Sequence, residues 1–532
     1  MSNRELAAQN LPHRRRYMTE ERIGIIDIGS NSVRLVVYER TANGAHRVAD
    51  SSKRPARLSE RIDEDGRLPN AALEELIDTL RHFTMICTHN HTSQIRAVAT
   101  AAIRNAENRS EVLERIKADT GLTIELLSGE EEASYGFLGM INSLQIRDGF
   151  LIDIGGGSTE LSLFRNRALV RTVSLPFGCV SLNKRFGSKG LLHDDELKAL
   201  EAHVTAALRH EKWIGEAPGL PLVGVGGTVR ALGKMHQAAH KYPFPQTHNY
   251  PMTGEHTDVL FNQMRKLPLD KRRKLPGLSK DRADVVVPGV AILRVLFRTT
   301  RAAYYRICGA GLRDGLFHAT RFPIHPKLDD VLAYSLTNLS ALHPEAPKQH
   351  VMQVNRLSLE LYDALNFVHQ LPPQTRVVLD NASQLFRIGA SIDYYEYARH
   401  SFYLIINSHL NGLSHREIIM TAAVASYKSK NRTRQHLSEY RELLNESDLD
   451  VIYKLGTLLQ LAAALDRTET QAIGQMNTQK SGTQLLLRPV HPRGTLAVER
   501  REVEELGAEF KKLWGLFPVL DYPATHDPST TI

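Results

Sequence analysis

Two stretches of the chain join an aspartate to a glycine-containing turn in a way that suits phosphate chemistry. The first is Asp27-Ile28-Gly29-Ser30-Asn31-Ser32, and the second is Asp153-Ile154-Gly155-Gly156-Gly157-Ser158-Thr159-Glu160. Glycine lets a backbone approach a ligand closely and turn its N–H groups toward oxyanions. A carboxylate beside it can hold a hard cation such as Mg²⁺, commonly through water. A third turn, Gly226-Gly227-Thr228, opens a helix. One such turn is ordinary hairpin structure, but three together point to a phosphate-binding cleft. Glu130, Glu131 and Glu132 open another helix after Ser128-Gly129. Acidic residues there normally complement the helix dipole, and Ser128 with Glu131 fits a capping box. Glu132, followed by the small residues Ala133 and Gly136, is the carboxylate left with room for a ligand.

The elements that must position these residues come as a repeat. Ile25 to Tyr38 and Leu151 to Phe164 are identical at six of fourteen positions. Each copy is an apolar run, an Asp, a Gly turn and a second apolar run, which is a hairpin signal. Repetition at this spacing predicts two similar domains rather than a solenoid. Leu73, Leu76, Ile77, Leu80 and Phe83 fall at helical spacing, and Ile95 to Thr100 reads as a strand. Ser110 is expected to cap a helix that stops at Gly121, followed by a strand from Thr123 to Leu127. A helix from Asp194 to about Trp213 and a strand at Leu222 to Val225 follow, and this alternation predicts an α/β architecture. Beyond about His325 strand-like runs nearly vanish, and Leu357, Leu361, Leu365, Leu455, Leu458, Leu459 and Ala462 keep helical spacing. The expected organisation is a mobile basic tail (1–21), α/β domains at 22–148 and 149–325, an all-helical domain at 326–484 and a small C-terminal segment at 485–532. That last segment shows a β-like Leu485-Leu486-Leu487 and a charged helix from Val503 to Trp514, with no readable role.

At 532 residues the chain has the length of three or four domains of about 150 residues. A 42% apolar and 24% charged composition excludes collagenous, disordered and disulfide-scaffold classes. Lys plus Arg at 67 against Asp plus Glu at 59 gives +8, which permits an anionic partner without demanding one. Cys87, Cys179 and Cys308 lie far apart, so neither a disulfide framework nor a cysteine zinc site is expected, and a cytoplasmic setting is the simplest. No apolar run reaches the roughly 18 residues of a membrane span, and no secretory leader is expected.

The two Asp turns resemble those of the exopolyphosphatase / guanosine-pentaphosphate phosphohydrolase family. So do Ala99-Thr100-Ala101-Ala102-Ile103-Arg104, Ser128-Gly129-Glu130-Glu131-Glu132-Ala133 and Gly309-Ala310-Gly311-Leu312-Arg313-Asp314-Gly315. These motifs run in the family's order from residue 22 to about 320. The resemblance implies two duplicated actin/hexokinase-like (ribonuclease H-like) α/β domains with a site between them, and Mg²⁺-dependent hydrolysis of terminal phosphoanhydride bonds. It implies Glu132 as the carboxylate that orients and deprotonates the attacking water. Arg104 would contact the substrate phosphate, where a guanidinium can fork onto two oxygens. Asp153 and Glu160, seven apart across the second turn, would share the cation. Asp27 is their repeat counterpart, although its own partner position is Arg34 rather than Glu. Gly29, Ser30, Asn31 and Ser32, Gly155, Gly156, Gly157 and Ser158, and Gly226, Gly227 and Thr228 would hold phosphates. A homodimer is also implied.

The helical half resembles the family's C-terminal half, which is related to HD-type phosphohydrolases. Where an HD site needs a His-Asp pair this chain has Phe386-Arg387, which cannot ligate a cation; Asp466 remains, with His400 and His409 nearby. The domain is therefore expected to be catalytically silent. Lys428, Lys430, Arg432 and Arg434 are expected to line a channel for a long polyanion, while Arg265-Lys266 and Lys271-Arg272-Arg273-Lys274 read as a solvated face. No recognition motif accompanies either run, so no specific nucleic-acid partner is expected. The expected function is exopolyphosphatase, acting on inorganic polyphosphate. The alternatives are a pppGpp 5′-phosphohydrolase and a non-enzymatic polyphosphate or alarmone sensor, the latter disfavoured by intact Glu132, Asp153 and Glu160. A sugar or acetate kinase is disfavoured because such enzymes place an Asp base near the acceptor hydroxyl.

Overall fold

The computed structural model describes residues 21–187, 191–369 and 371–522. The expected basic tail lies outside the described residues except for Glu21, which begins the first strand.

The N-terminal half contains two mixed sheets with one plan. In the first, β1 (Glu21–Ile28), β2 (Ser32–Arg40) and β3 (His46–Pro55) form an antiparallel meander, and β4 (Gln94–Ala99) and β5 (Ile124–Leu126) add parallel to β1, giving the order β3-β2-β1-β4-β5. In the second, β6 (Gly149–Ile154), β7 (Thr159–Arg165) and β8 (Ala168–Leu175) form the meander. Then β9 (Leu222–Val225) and β11 (Tyr305–Ile307) add in parallel, and β10 (Tyr250–Met252) closes the edge. β1 and β6 sit at the centre of each sheet and are buried on both faces, which explains their nearly continuous apolar sequences. The repeat seen in the sequence is thus a repeat of topology.

Two helices run between the sheets. Helix Gly129–Ile141 packs Phe137, Met140 and Ile141 against Leu151, Phe164 and Val223 of the second sheet. Helix Leu312–Arg321 puts Leu316 and Phe317 under Ile23, Ile25 and Val98 of the first. The helices cross where neither carries a side chain. A Cβ on Gly139 would lie 2.1 Å from the Gly311 carbonyl oxygen, and one on Gly315 1.8 Å from that of Tyr135. Gly311, at the start of the second helix, thus sits beside Gly139 near the end of the first, so the two helices run in opposite senses.

Some local expectations need correcting. Ser110 caps nothing: the helix runs Arg109–Thr120 from Asn108, whose amide is instead bonded to both the N–H (2.9 Å) and the carbonyl (3.0 Å) of Leu68. Helix Asp194–Leu208 ends short of Trp213, which lies in a separate 3₁₀ turn. The capping box at Ser128 is present, with the Ser128 N–H donating to Glu131 Oε2 at 2.8 Å.

The C-terminal half is helical from Val331 to Ala464 and ends in a three-stranded sheet. β12 (Gln475–Ser481) begins inside the span expected to be all-helical. It pairs with β13 (Gln484–Val490), which is joined to parallel β14 (Phe517–Leu520) by helix Ala497–Trp514. Leu485, Leu487, Val503, Phe510 and Trp514 share one core with Leu455, Leu458 and Ala462, so the C-terminal segment completes the helical domain. Among the described residues no helix is long and apolar enough to cross a membrane.

Candidate active site

The two Asp turns meet across the interface between the α/β units. Each is closed by the same bond, Gly29 N–H to Ser32 O at 3.3 Å and Gly155 N–H to Ser158 O at 3.0 Å. The carbonyls of the turns are occupied elsewhere. Asn31 O accepts from the N–H groups of Ala56 and Arg57, and Gly155 O and Gly156 O accept from Cys179 and Val180 at the start of helix Cys179–Phe186. The amides of Ser30, Asn31 and Gly156 are left without a protein acceptor among the described residues, as an oxyanion site requires. These residues line a cleft together with Gly29, Ser32, Gly155, Ser158, Gly226 and Gly227.

Four carboxylates and four guanidinium groups line the same cleft: Asp27, Glu132, Asp153 and Asp314 with Arg34, Arg230, Arg282 and Arg313. Asp27 stands opposite Arg34 in the β1–β2 ladder, whereas Asp153 stands opposite Glu160 in the equivalent ladder. Arg230 is anchored by its Nε to Gly226 O at 3.1 Å, and the Arg282 guanidinium lies directly on Gly227. Among the described residues none of these four arginines has a carboxylate within salt-bridge distance. Their charge is compensated only at longer range. Burial holds Arg34 down at about 10, with Arg313 adding to the effect. The units are held together at the rim by Arg57–Asp284 at 2.6 Å and by Lys53–Asp281.

Glu132 opens the helix Gly129–Ile141, and its Oε2 accepts from Arg104 Nη1 at 3.0 Å; the same nitrogen also donates to Leu127 O at 2.8 Å. Burial pushes the Glu132 carboxyl up to about 7; Arg104 opposes the shift, and the Asp153 and Asp27 charges reinforce it. Burial likewise raises Asp153 to about 6, against the pull of Arg230. Asp27 is raised by burial, with Arg313 and Arg34 opposing.

Not every residue singled out in the sequence reaches the cleft. Arg104 is paired with Glu132 rather than set among the glycine turns. Glu160 is set back, only 3% exposed, and bonded to Ser174 Oγ at 2.9 Å. Gly129 packs against Ser174 and covers it, and burial drives the Glu160 carboxyl well above its ordinary range, followed by the charges of Glu132 and Asp153. Gly157 packs against Ser30 and Ser59, and Thr228 is buried against Gly289 and Cys179. Arg34, Arg230, Arg282 and Arg313 were not singled out as ligand-binding residues. Arg34 and Arg313 carried a signal, as the cross-strand partner of Asp27 and as part of the Gly309–Gly315 motif.

The donor set suits a hard divalent cation. Asp27 and Asp153 offer carboxylate oxygens in a desolvated setting whose raised proton affinity a cation would offset. Among the described residues no group of three or more His, Cys, Asp or Glu could hold a metal by itself. A cation here would complete its shell with water and substrate oxygens, as Mg²⁺ commonly does.

Gly226 adopts φ +84°, and a Cβ there would lie 2.6 Å from Asp153 Oδ1. Gly226→Ala is expected to cost about 1–2 kcal/mol from the left-handed backbone alone and to lower turnover by displacing Asp153. Thermal unfolding and steady-state kinetics would check both; a variant with normal kcat would show that Asp153 need not stay where it is.

In the helical half, His350 Nδ1 and Asp466 Oδ2 form a buried pair at 2.8 Å, with the Phe386 ring 5.7 Å from that of His350. The basic run is exposed but divided. Lys428 lies over the Tyr397 ring and Lys430 over Tyr453. Arg432 approaches Glu396 at 3.9 Å, and Arg434 lines a separate depression with Arg441.

Fold and cleft together define a two-domain α/β enzyme of phosphate chemistry. Residues 36–320 match the Ppx/GppA phosphatase family and residues 341–509 match domain III of the same family. The chain belongs to the Ppx/GppA phosphatase family and is a hydrolase of phosphoanhydride bonds. A guanosine-5′-triphosphate,3′-diphosphate pyrophosphatase from Aeromonas hydrophila is 32% identical over 394 residues, 73% of this chain and 77% of that one. Among solved structures, a Ppx/GppA family member from Aquifex aeolicus is 27% identical with a TM-score of 0.50, covering 57% of this chain and 99% of that one. An exopolyphosphatase from Cytophaga hutchinsonii, at 21% identity and a TM-score of 0.54, covers 58% of this chain and 100% of that one and shares the fold.

Proposed function

We propose that the protein is an exopolyphosphatase that removes the terminal phosphate from inorganic polyphosphate. The observation that carries this reading is the cleft lining: four arginines without carboxylate partners and a set of open glycine-turn amides, with no aromatic side chain among the described lining residues. Such a surface matches a chain of phosphates and offers no ring on which a nucleobase would stack.

In this reading Arg104 anchors Oε2 of Glu132, and the carboxylate takes a proton from a water molecule. The water oxygen bonds to the terminal phosphorus as the bond to the bridging oxygen breaks, and the bridging oxygen leaves with the shortened chain. Arg34, Arg230, Arg282 and Arg313 spread the charge of the phosphoryl oxygens. Asp153 and Asp27 would hold Mg²⁺, which would neutralise charge on the chain end when bound. Glu160 supports this arrangement from behind rather than as a ligand. A cytoplasmic setting is consistent with three buried, unpaired cysteines.

We read the helical half as HD-like and without a metal centre. Asp466 is occupied by His350 and by the Gln471 N–H at 2.8 Å, and Phe386-Arg387 supply no ligand. Lys428, Lys430, Arg432 and Arg434 remain candidates for contact with the distal part of a long chain, as separate cations rather than a single stripe.

A second reading, pppGpp 5′-phosphohydrolase, is favoured by the name of the relative from Aeromonas hydrophila. Phosphate release from long polyphosphate and from pppGpp, measured side by side, separates the two. A kcat/KM at least about tenfold higher on polyphosphate, a difference of about 1.4 kcal/mol in transition-state binding, is expected. A preference for pppGpp of that size would overturn the substrate assignment.

A further inference from the structure

We propose that His248 is a positioning residue for the cleft, through which the catalytically silent helical half holds the active-site turn in place. This rests on the reading of the cleft given above. His248 lies in the segment between helix Gly226–Ala239 and β10. Its Nδ1 accepts from the Gly309 N–H at 3.0 Å, and its Nε2 donates to Ser143 O at 3.1 Å. Gly309 lines the cleft, and Ser143 follows the helix that begins beside Glu132. A single imidazole therefore ties the turn leading to Arg313 to the far end of the Glu132 helix.

Both bonds require the neutral ring protonated at Nε2, and burial favours that form by pushing His248 down to about 4. With the Gly309 N–H fixed, the Cys308–Gly309 peptide cannot rotate. The next turn is locked by the Gly311 N–H donating to Asp314 Oδ2 at 2.8 Å.

The helical half grips His248 from the other side. The His248 carbonyl accepts from His415 Nε2 at 2.8 Å, and His415 Nδ1 accepts from the Tyr242 hydroxyl at 2.9 Å. Phe244 stacks on the His415 ring at 4.3 Å, and Asn249 Nδ2 donates to Leu413 O at 2.8 Å. His415 begins the helix His415–Ala425 in the core of the helical domain. The chain of contacts runs from that core to the cleft without a gap.

The test compares His248→Asn, His248→Gln and His248→Leu in the full chain, with phosphate release from polyphosphate and thermal unfolding recorded for each. Asn carries an oxygen at the position of Nδ1 and can still accept from Gly309; Gln and Leu cannot. Because a misplacement of about 1 Å at a site can cost about 10²-fold, His248→Leu and His248→Gln should lose about 10- to 100-fold in kcat/KM, with His248→Asn within about threefold of the parent. All three should unfold at similar temperatures. A loss of the same size in His248→Asn, or no loss in His248→Gln, overturns the positioning role. His248→Gln serves alone if His248→Leu does not fold. Glu132→Gln, assayed in parallel, reports separately on the cleft: normal turnover in that variant would overturn the reading on which the role rests.

Discussion

Glu132→Gln is expected to fold and to bind phosphate normally yet to lose about 10²–10⁴-fold in kcat, the range that a general base contributes. The amide is nearly isosteric and can still accept from Arg104, but it cannot take the proton of the attacking water. The pH profile follows from the same group. Burial raises the Glu132 carboxyl to about 7, so the base form accumulates as the pH rises through that value. Wild-type kcat/KM should climb through about pH 7 and level off above it, and this limb should vanish in Glu132→Gln. Glu131→Gln should keep both its turnover and its helix cap, because the Gln oxygen can still accept from the Ser128 N–H. The reverse pattern, with Glu131→Gln inactive and Glu132→Gln active, would move the base to the neighbouring carboxylate.

Asp153→Asn should raise the Mg²⁺ concentration needed for half-maximal activity by on the order of 10–100-fold, since a neutral amide is a poorer hard-cation ligand. Asp153 lines the cleft, is held at about 6 by burial against the pull of Arg230, and sits under the Gly226 turn. Glu160→Gln should change the Mg²⁺ titration little, because that side chain is covered and bonded to Ser174. Equal shifts for both variants would restore Glu160 as a ligand, and unchanged titrations for both would remove the cation from this place.

Much of the site was legible because it is local. Asp27 and Asp153 end strands whose turns are encoded in a few adjacent residues, and Ser128 with Glu131 declares the helix that carries Glu132. What the sequence does not show is decided by tertiary packing. Asp153 and Glu160 do pair across a ladder, as their spacing implies, but the start of helix Gly129–Ile141 closes over Glu160 by packing Gly129 on Ser174. Arg230 and Arg282 come from separate elements and converge only in the folded chain. Arg34, noted as breaking the Asp–Glu pattern of the repeat, is a cleft cation. In the helical half the partner of Asp466 is His350, a contact between distant segments that no spacing rule indicates. β12 escaped because Gln475–Ser481 is polar and mostly exposed, so it shows no apolar alternation.

The most direct test of the account is where the water oxygen goes. Polyphosphate hydrolysed by the enzyme in oxygen-18 water should yield inorganic phosphate carrying one labelled oxygen, while the shortened chain carries none. That result requires water to attack the terminal phosphorus, the step proposed for Glu132. Label in the new chain end, or unlabelled phosphate, would contradict it.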